Sequence, residues 1–302
     1  MKKKLLSLPN FLFIFLIFAL FTPNVRETDS PIVLILVIIG IEVIYIAYMI
    51  KNDVFRQGKN IVTVLFVLFL IWQLATSKFN LVNQVLFPAP ENVFYVFVTQ
   101  WKLILTGILS SLRLLALGFF YSLAFGISLG LIVGWIPVLR ETIYPIAKVL
   151  SPIPPIVYTP YVIALMPTFS SASILVIFLG IFWPTFMNMI NGVSAIDKNI
   201  IDSARSMNVS TPTMLFKIIL PYSLPGIMDG LTISVSFSFM ILTAAEMIGA
   251  TSGLGYFVQK FAAYSDYTKE LTGIIVIGVV VAAINYLLRV VRKLVIKWKP
   301  LV

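Results

Sequence analysis

IDKNIIDSARSMNVSTPTMLFKIILPYSLP, residues Ile196 to Pro225, is the longest polar interruption in the C-terminal two thirds of a very apolar chain. Apolar runs flank it, Ser173–Val193 before and Ile227–Ile248 after, each too long for a soluble core. A polar hairpin between two membrane helices must lie in water, and Lys198, Arg205 and Lys217 favour the cytoplasmic side. The pattern predicts two short helices. The first spans about Lys198–Met207, with Ile200, Ile201, Ala204 and Met207 at helical spacing. Asn208 can supply the left-handed turn that ends it. Ser210 or Thr211 can cap a second helix with Pro212 at its first position, and Pro221 closes that helix. A surface hairpin of this kind is suited to being held by another protein.

The spacing of the hairpin resembles a cytoplasmic loop of ABC importer permease subunits. That loop reads Glu-Ala-Ala, two variable residues, Leu or Met, Gly, nine variable residues, Ile or Val, one variable residue, Leu-Pro. Asp202, Ser203, Ala204, Met207, Asn208, Ile218, Leu220 and Pro221 fall at those positions with every interval kept. Asp202 replaces Glu, Ser203 replaces Ala and Asn208 replaces Gly. Asn is the next-best residue for a left-handed turn, so the geometry survives. The resemblance covers about Ile61–Leu294. It implies an all-α integral membrane protein, a polytopic helix bundle of the type I importer kind with about eight transmembrane helices. Residues 1–60 would be accessory helices, and 61–302 the permease domain with its coupling hairpin at 196–221.

Composition supports the membrane class. Of 302 residues, 60% are hydrophobic and 11% charged, against roughly 25% charged in soluble domains. The net charge of +10 is spread along the chain, so cytoplasmic loops explain it better than a nucleic-acid surface. Cysteine and histidine are absent, which excludes disulfides, thiol catalysis and His-based metal or proton chemistry. No Gly-x-x-x-x-Gly-Lys-Ser/Thr phosphate loop occurs, so the chain is not itself an ATPase.

Along the chain, Lys2–Lys4 precede an apolar run from Leu5 to Thr22 without a small-residue cleavage site, read as an uncleaved anchor rather than a signal peptide. The second helix, Ile32–Ile50, carries Glu42 at its middle. That carboxylate is either functional, or protonated, or bonded to Tyr45 or a neighbouring helix. A third helix covers Ile61 to about Ser77. Phe87-Pro88-Ala89-Pro90-Glu91-Asn92-Val93 resembles the Pro-x-Pro-x-x-Val signature of the nitrate, sulfonate and taurine branch, and a helix is expected from Glu91 to Trp101.

Leu112–Ile136 carries Gly118, Ser122, Gly126, Gly130 and Gly134 at four-residue steps, a groove for a close helix neighbour. Thr142–Pro167 contains Pro145, Pro152, Pro154, Pro155, Pro160 and Pro167, so no straight helix is expected there. Broken backbone at membrane depth suits a translocation path. Within it, Ser151-Pro152-Ile153-Pro154-Pro155 matches the family's proline-rich kink, whereas Met166–Ser171 departs from its usual glycine pair. After the hairpin, hydroxyls at Thr232, Ser234, Ser236, Ser238 and Thr243 either wet a path or bond to the i−4 carbonyl or a neighbouring helix. With the N-terminus inside and eight spans, Arg26, Lys78, Lys102, Arg113, Lys260 and Lys269 are the 6 basic residues outside, leaving 16 of 22 inside.

The resemblance implies a permease subunit of an ATP-driven importer in a bacterial plasma membrane, with both termini cytoplasmic. Its expected partners are an ABC ATPase dimer on the hairpin, a second permease copy or paralogue, and an extracytoplasmic binding protein near Phe87–Val93 and Gly249–Glu270. Ser203, Ala204, Met207 and Asn208 are the expected ATPase contact. Pathway lining is expected from Pro154, Pro155, Asn188, Ser234, Ser236, Ser238, Thr243 and Glu246, with no cofactor or metal. The solute would be small and polar or anionic, like nitrate, a sulfonate or taurine. A secondary transporter would need inverted repeats and midplane charges, and the chain shows no clear repeat. A structural or sensory membrane subunit would leave the hairpin spacing unexplained.

Overall fold

The computed structural model describes residues 7–51 and 56–295, and among these every regular element is helical. The basic start at Lys2–Lys4, tail residues Lys297 and Lys299, and the side chains of Lys51, Arg56 and Thr232 lie outside the described set. Helix α1 covers Leu8–Phe21, α2 Ile32–Lys51, α3 Arg56–Gln73, α4 Pro90–Thr99, α5 Trp101–Trp135 and α6 Pro137–Leu150. Helix α7 covers Pro155–Leu165, α8 Phe169–Ser194, α9 Lys198–Ser206, α10 Leu220–Gly249, α11 Leu254–Ala263 and α12 Tyr267–Val295. π-helical turns run through Leu74–Lys78 and Met214–Ile219, the second after one turn at Thr211–Thr213.

Six helices are long and apolar enough to cross a bilayer, or up to eight if each of two bent pairs is one span. The pairs are α6 with α7, bent by 92°, and Ile233–Gly249 with α11, bent by 47°. Helix α1 has 14 residues, about 21 Å, short of the roughly 30 Å hydrocarbon core. The chain falls into two compact units, residues 1–104 with 258–275, and 105–257 with 276–302.

In the first unit, α1–α4 share a core of Leu16, Leu20, Leu34, Ile38, Tyr45, Phe66 and Phe94. The loop after α1 is bonded onto the turn after α3. Val25 and Arg26 donate their backbone N–H to the Ser77 carbonyl at 3.0 and 3.2 Å. Buried Arg26 donates from Nε and Nη2 to Asn80 Oδ1, from Nη1 to the Phe87 carbonyl and from Nη2 to the Val82 carbonyl. Burial lowers the pKa of this guanidinium and the nearby Glu91 carboxylate raises it. Glu91 is itself buried and accepts from Asn24, Gln73 and Ser77 at 3.0, 2.6 and 2.7 Å. Every one of those donors leaves water only because it finds a partner. Glu42 is also buried, and its Oε2 has no hydrogen-bond partner among the described residues. The Tyr45 hydroxyl lies 3.2 Å from Ser7 Oγ.

The second unit is built on the small residues of α5. A Cβ on Gly118 would stand 2.5 Å from Ile177 Cγ2, and one on Gly130 would stand 2.6 Å from Met189 Cβ. One on Gly126 would meet Thr185 at 3.2 Å, and one on Gly134 would meet Val193 at 2.9 Å. Ser122 sits in the same row and donates to the Phe178 carbonyl at 3.0 Å. Every contact falls on α8, so the expected groove is present and α8 fills it. Helix α5 starts at Trp101, well before the expected Leu112, because the more polar segment of Lys102, Thr106, Ser110 and Ser111 remains helical.

The prolines act more locally than expected. Pro145 and Pro160 lie inside α6 and α7, which continue through them. The break is confined to Ser151–Pro154, where Pro154 is extended (φ −64°, ψ 127°) and Pro155 takes the first helical turn. The helical region is disfavoured for a residue before proline; Ser151 before Pro152 is still helical, and the chain turns extended at Pro154, which precedes Pro155. Thr159 Oγ1 donates to the Pro155 carbonyl, 2.8 Å away, just before Pro160. Met166–Ser171, lacking the glycine pair, instead carries a reciprocal capping box. Ser171 N donates to Thr168 Oγ1 at 3.1 Å and Thr168 N to Ser171 Oγ at 3.3 Å.

Gly130→Val is expected to lower the melting temperature of the purified protein in detergent by several degrees, since overpacking typically costs ~1–3 kcal/mol. Gly278→Ala, where a Cβ meets nothing within 4 Å, should leave it unchanged.

Candidate functional site

Helix α9 begins at Asp197, whose side chain accepts from the Asn199 N–H at 2.9 Å. It ends in a left-handed turn at Asn208, φ +53°. Asn208 N donates to the Arg205 carbonyl at 2.9 Å and Val209 N to the Ala204 carbonyl at 3.1 Å. That pair of bonds is the Schellman closure, with Asn in the place where glycine is commonest. Val209 and Ala204 pack in one apolar cluster with Met214 and Ile219, which supplies the accompanying hydrophobic contact.

The second arm differs from expectation. Ser210 starts a single turn, and the backbone then widens into the π-turn at Met214–Ile219 and passes without interruption into α10. Pro221 does not close this helix. It lies in the first turn of α10, directly after the π-turn, where the missing N–H of proline is least costly.

The motif residues therefore face two ways. Ala204 is 2% exposed and packs with Leu131, Met189, Val193 and Ile196. Ile218 and Leu220 pack partly against the same cluster. Asp202, Ser203, Met207 and Asn208 are exposed, and Pro221 is half-buried. Ala204, expected in the docking contact, is here buried, and its methyl helps to seat the hairpin on the bundle. Ile200 and Phe216, not among the expected contact residues, are exposed as well. Met207 is 72% exposed on the first arm, and Phe216 is 60% exposed near the start of Thr211–Leu231, a stretch long and apolar enough to cross a membrane.

The expected pathway residues are scattered in environment. Pro154, Asn188 and Ser236 are exposed, and Pro155 and Ser234 half-buried. Asn188 lies in a membrane-length helix, and Gly230 leaves room for its amide; a Cβ there would stand 2.8 Å from Nδ2. Ser236 Oγ accepts from Asn285 Nδ2 at 3.2 Å. Ser238 and Thr243 donate to the i−4 carbonyls of Ser234 and Phe239 at 2.6 and 2.7 Å, which occupies their hydroxyl protons.

Glu246 faces no open space in this structure. It is 1% exposed, with Oε1 accepting from Ser111 Oγ and Oε2 from Gly255 N, each at 2.7 Å. Ser111 Oγ in turn accepts from Leu254 N at 2.9 Å. Gly253 (φ +132°) has no room for a side chain against the Glu246 carboxylate, so the turn and the acid are fitted to each other. Ser111, 135 residues away, was not foreseen as its partner.

Residues 122–299 match the family described as binding-protein-dependent transport system inner membrane component. The taurine transport system permease protein TauC of Escherichia coli (strain K12) is 30% identical over 254 residues, 80% of this chain and 90% of that protein. The putative aliphatic sulfonates transport permease protein SsuC of Bacillus subtilis (strain 168) is 28% identical over 238 residues, 77% and 85% of the two chains. The nitrate import permease protein NrtB of Leptolyngbya laminosa is 29% identical over 236 residues, 74% and 82%. Among solved structures, a chain of the MetNI methionine ABC transporter in an inward-facing form matches with TM-score 0.56 and 18% identity. It covers 65% of this chain and 98% of that one, a likeness of fold.

Two substitutions one residue apart separate seating from docking. Ala204→Arg puts a charge into a closed apolar cluster and is expected to remove the protein from the membrane fraction on immunoblots. Ser203→Arg, at an exposed position, should accumulate normally.

Proposed function

This chain belongs to the family of binding-protein-dependent transport inner membrane components, and from that premise we propose that it is the membrane-spanning subunit of an importer driven by a separate ATPase. It is an ABC permease of the taurine, sulfonate and nitrate type. Two copies, or this chain and a paralogue, form the pathway, and an extracytoplasmic binding protein delivers the solute. Both termini are cytoplasmic in this reading, as the distribution of Lys and Arg favours. The solute is a small anion or zwitterion bearing a sulfonate or nitrate group, a reading supported by what the relatives are named for.

The observation that carries the ATPase assignment is the exposure of Met207 and Phe216 on a hairpin whose other face is sealed by Ala204, Met214 and Ile219. Such a surface, together with Ile200, Ser203, Asp202 and Asn208, suits docking into a groove of a soluble partner. Methionine adapts to an irregular partner surface, and each large apolar side chain buried there contributes ~1.5–3 kcal/mol. Closure of the ATPase dimer on ATP then moves the hairpin, and the bundle exchanges inward-open for outward-open states. Asn188 and Ser236, polar and exposed in membrane-length helices, line the pathway or the surface between copies, since neither is stable against lipid.

The double variant Met207→Ser with Phe216→Ser should accumulate normally, because both side chains are exposed. It should co-purify with its ATPase at least roughly tenfold less well and lose ATP-dependent uptake in proteoliposomes. Full coupling by that variant would remove the docking assignment. Uptake of taurine, an aliphatic sulfonate and nitrate, each with its cognate binding protein, identifies the solute.

A further inference from the structure

The C-terminal ends of α5 and α8, with the starts of α6 and α9, border an open cleft of about 600 Å³. Arg140, Lys198 and Arg205 line it, together with Trp135, Ser194 and Ile196. The Arg205 guanidinium lies 5.8 Å from the Trp135 ring centroid, and Arg140 Nη1 donates to Ser194 Oγ at 3.1 Å. None of the three cations has a carboxylate within ion-pair distance among the described residues. Glu141 lines a smaller adjoining cleft instead.

Helix C-termini attract cations on their own, so their share must be counted. Two such termini, α5 and α8, end here with roughly −0.5 charge each, but α6 and α9 start here with roughly +0.5 each, so the helix dipoles nearly cancel. The three full positive charges therefore stand uncompensated by the helix ends, and the neighbouring acids Glu141, Asp197 and Asp202 are not among the residues that line the cleft. The surplus asks for an anion. The walls are apolar apart from these groups, and sites of roughly 300–1,000 Å³ hold ligands of moderate size. The cleft also lies where two membrane-length helices finish, with a tryptophan at its rim, which is the depth of lipid headgroups.

We propose that this cleft binds the phosphate of an anionic phospholipid, with Arg140, Lys198 and Arg205 around the headgroup and Trp135 and Ile196 against its apolar part. The site rests on the hairpin lying at the membrane surface and does not depend on what docks there. Each basic residue near an anionic surface contributes enough to shift binding about fivefold, so the three together give strong selection over a zwitterionic lipid.

The test uses the full chain in nanodiscs of phosphatidylcholine with a minor fraction of phosphatidylglycerol, and native mass spectrometry of the lipid kept on release. Phosphatidylglycerol is expected to be retained at least roughly tenfold over its share. The triple variant Arg140→Gln, Lys198→Gln, Arg205→Gln should lose that enrichment, and Arg140→Lys with Arg205→Lys should keep most of it. Should the triple variant fail to accumulate, Lys198→Gln alone, at an exposed position, is expected to reduce enrichment about fivefold. Equal retention of both lipids by the unaltered chain, or undiminished enrichment in the variants, overturns the proposal. Displacement of the lipid by excess inorganic phosphate would assign the cleft to a free anion and overturn the headgroup reading. Loss of ATPase co-purification in the triple variant, with no lipid preference in the unaltered chain, would assign it to a protein carboxylate and also overturn it.

Discussion

Close backbone approach between α5 and α8 is the contact on which the second unit depends. Lipid tails are as apolar as leucine, so helices in a membrane associate through packing and hydrogen bonding rather than through expulsion of water. Four glycines and one serine on a single stripe let α8 come within reach of the α5 backbone along most of its length. The residues of α8 at that seam are large: Ile177, Thr185, Met189 and Val193. Size on one side and its absence on the other lock the register. Met189 and Val193 also belong to the cluster that seats Ala204, so the seam and the hairpin share side chains.

Much of this was legible in the sequence because it rests on residues with one physical role. The four-residue stripe in α5, the left-handed turn at Asn208 and the proline break at Ser151–Pro154 each follow from local stereochemistry. What was less legible depends on context. Pro221 reads as a stop, yet a π-turn just before it absorbs the proline and lets the helix run on. Ala204 is expected at the docking contact and lies buried against the bundle, since composition does not tell which face of a short amphipathic helix meets the bundle. Glu246 reads as a polar group near a path, and only its contact with Ser111 and Gly255 gives it another role. Such long-range partners leave no periodic trace.

Buried polar groups hold the non-helical segments of each unit. In one, Arg26 and Glu91 gather the carbonyls and amides of the connections around α1, α3 and α4. In the other, Glu246 fixes the turn at Gly253–Gly255. A loop with few apolar side chains has little hydrophobic reason to adopt one shape. A charged group removed from water needs several donors or acceptors at fixed positions, and it supplies that reason instead. The first two helices, whose purpose the sequence left open, are thereby joined to the segment that begins the family-like region.

The hairpin is fastened to the membrane bundle unequally at its two roots. On the α8 side, Ala195–Asp197 breaks the helix before α9 begins, so that root can swivel. On the other side, the chain is helical from Thr211 through Gly249, through the π-turn and past Pro225 inside α10, which alone has 30 residues, about 45 Å along its axis. A displacement applied to the hairpin therefore meets a break in the helix at one end and continuous helix at the other. Any stroke delivered from the aqueous side would tilt or screw α10 far more than α8, and asymmetry of this kind turns a push into a rotation.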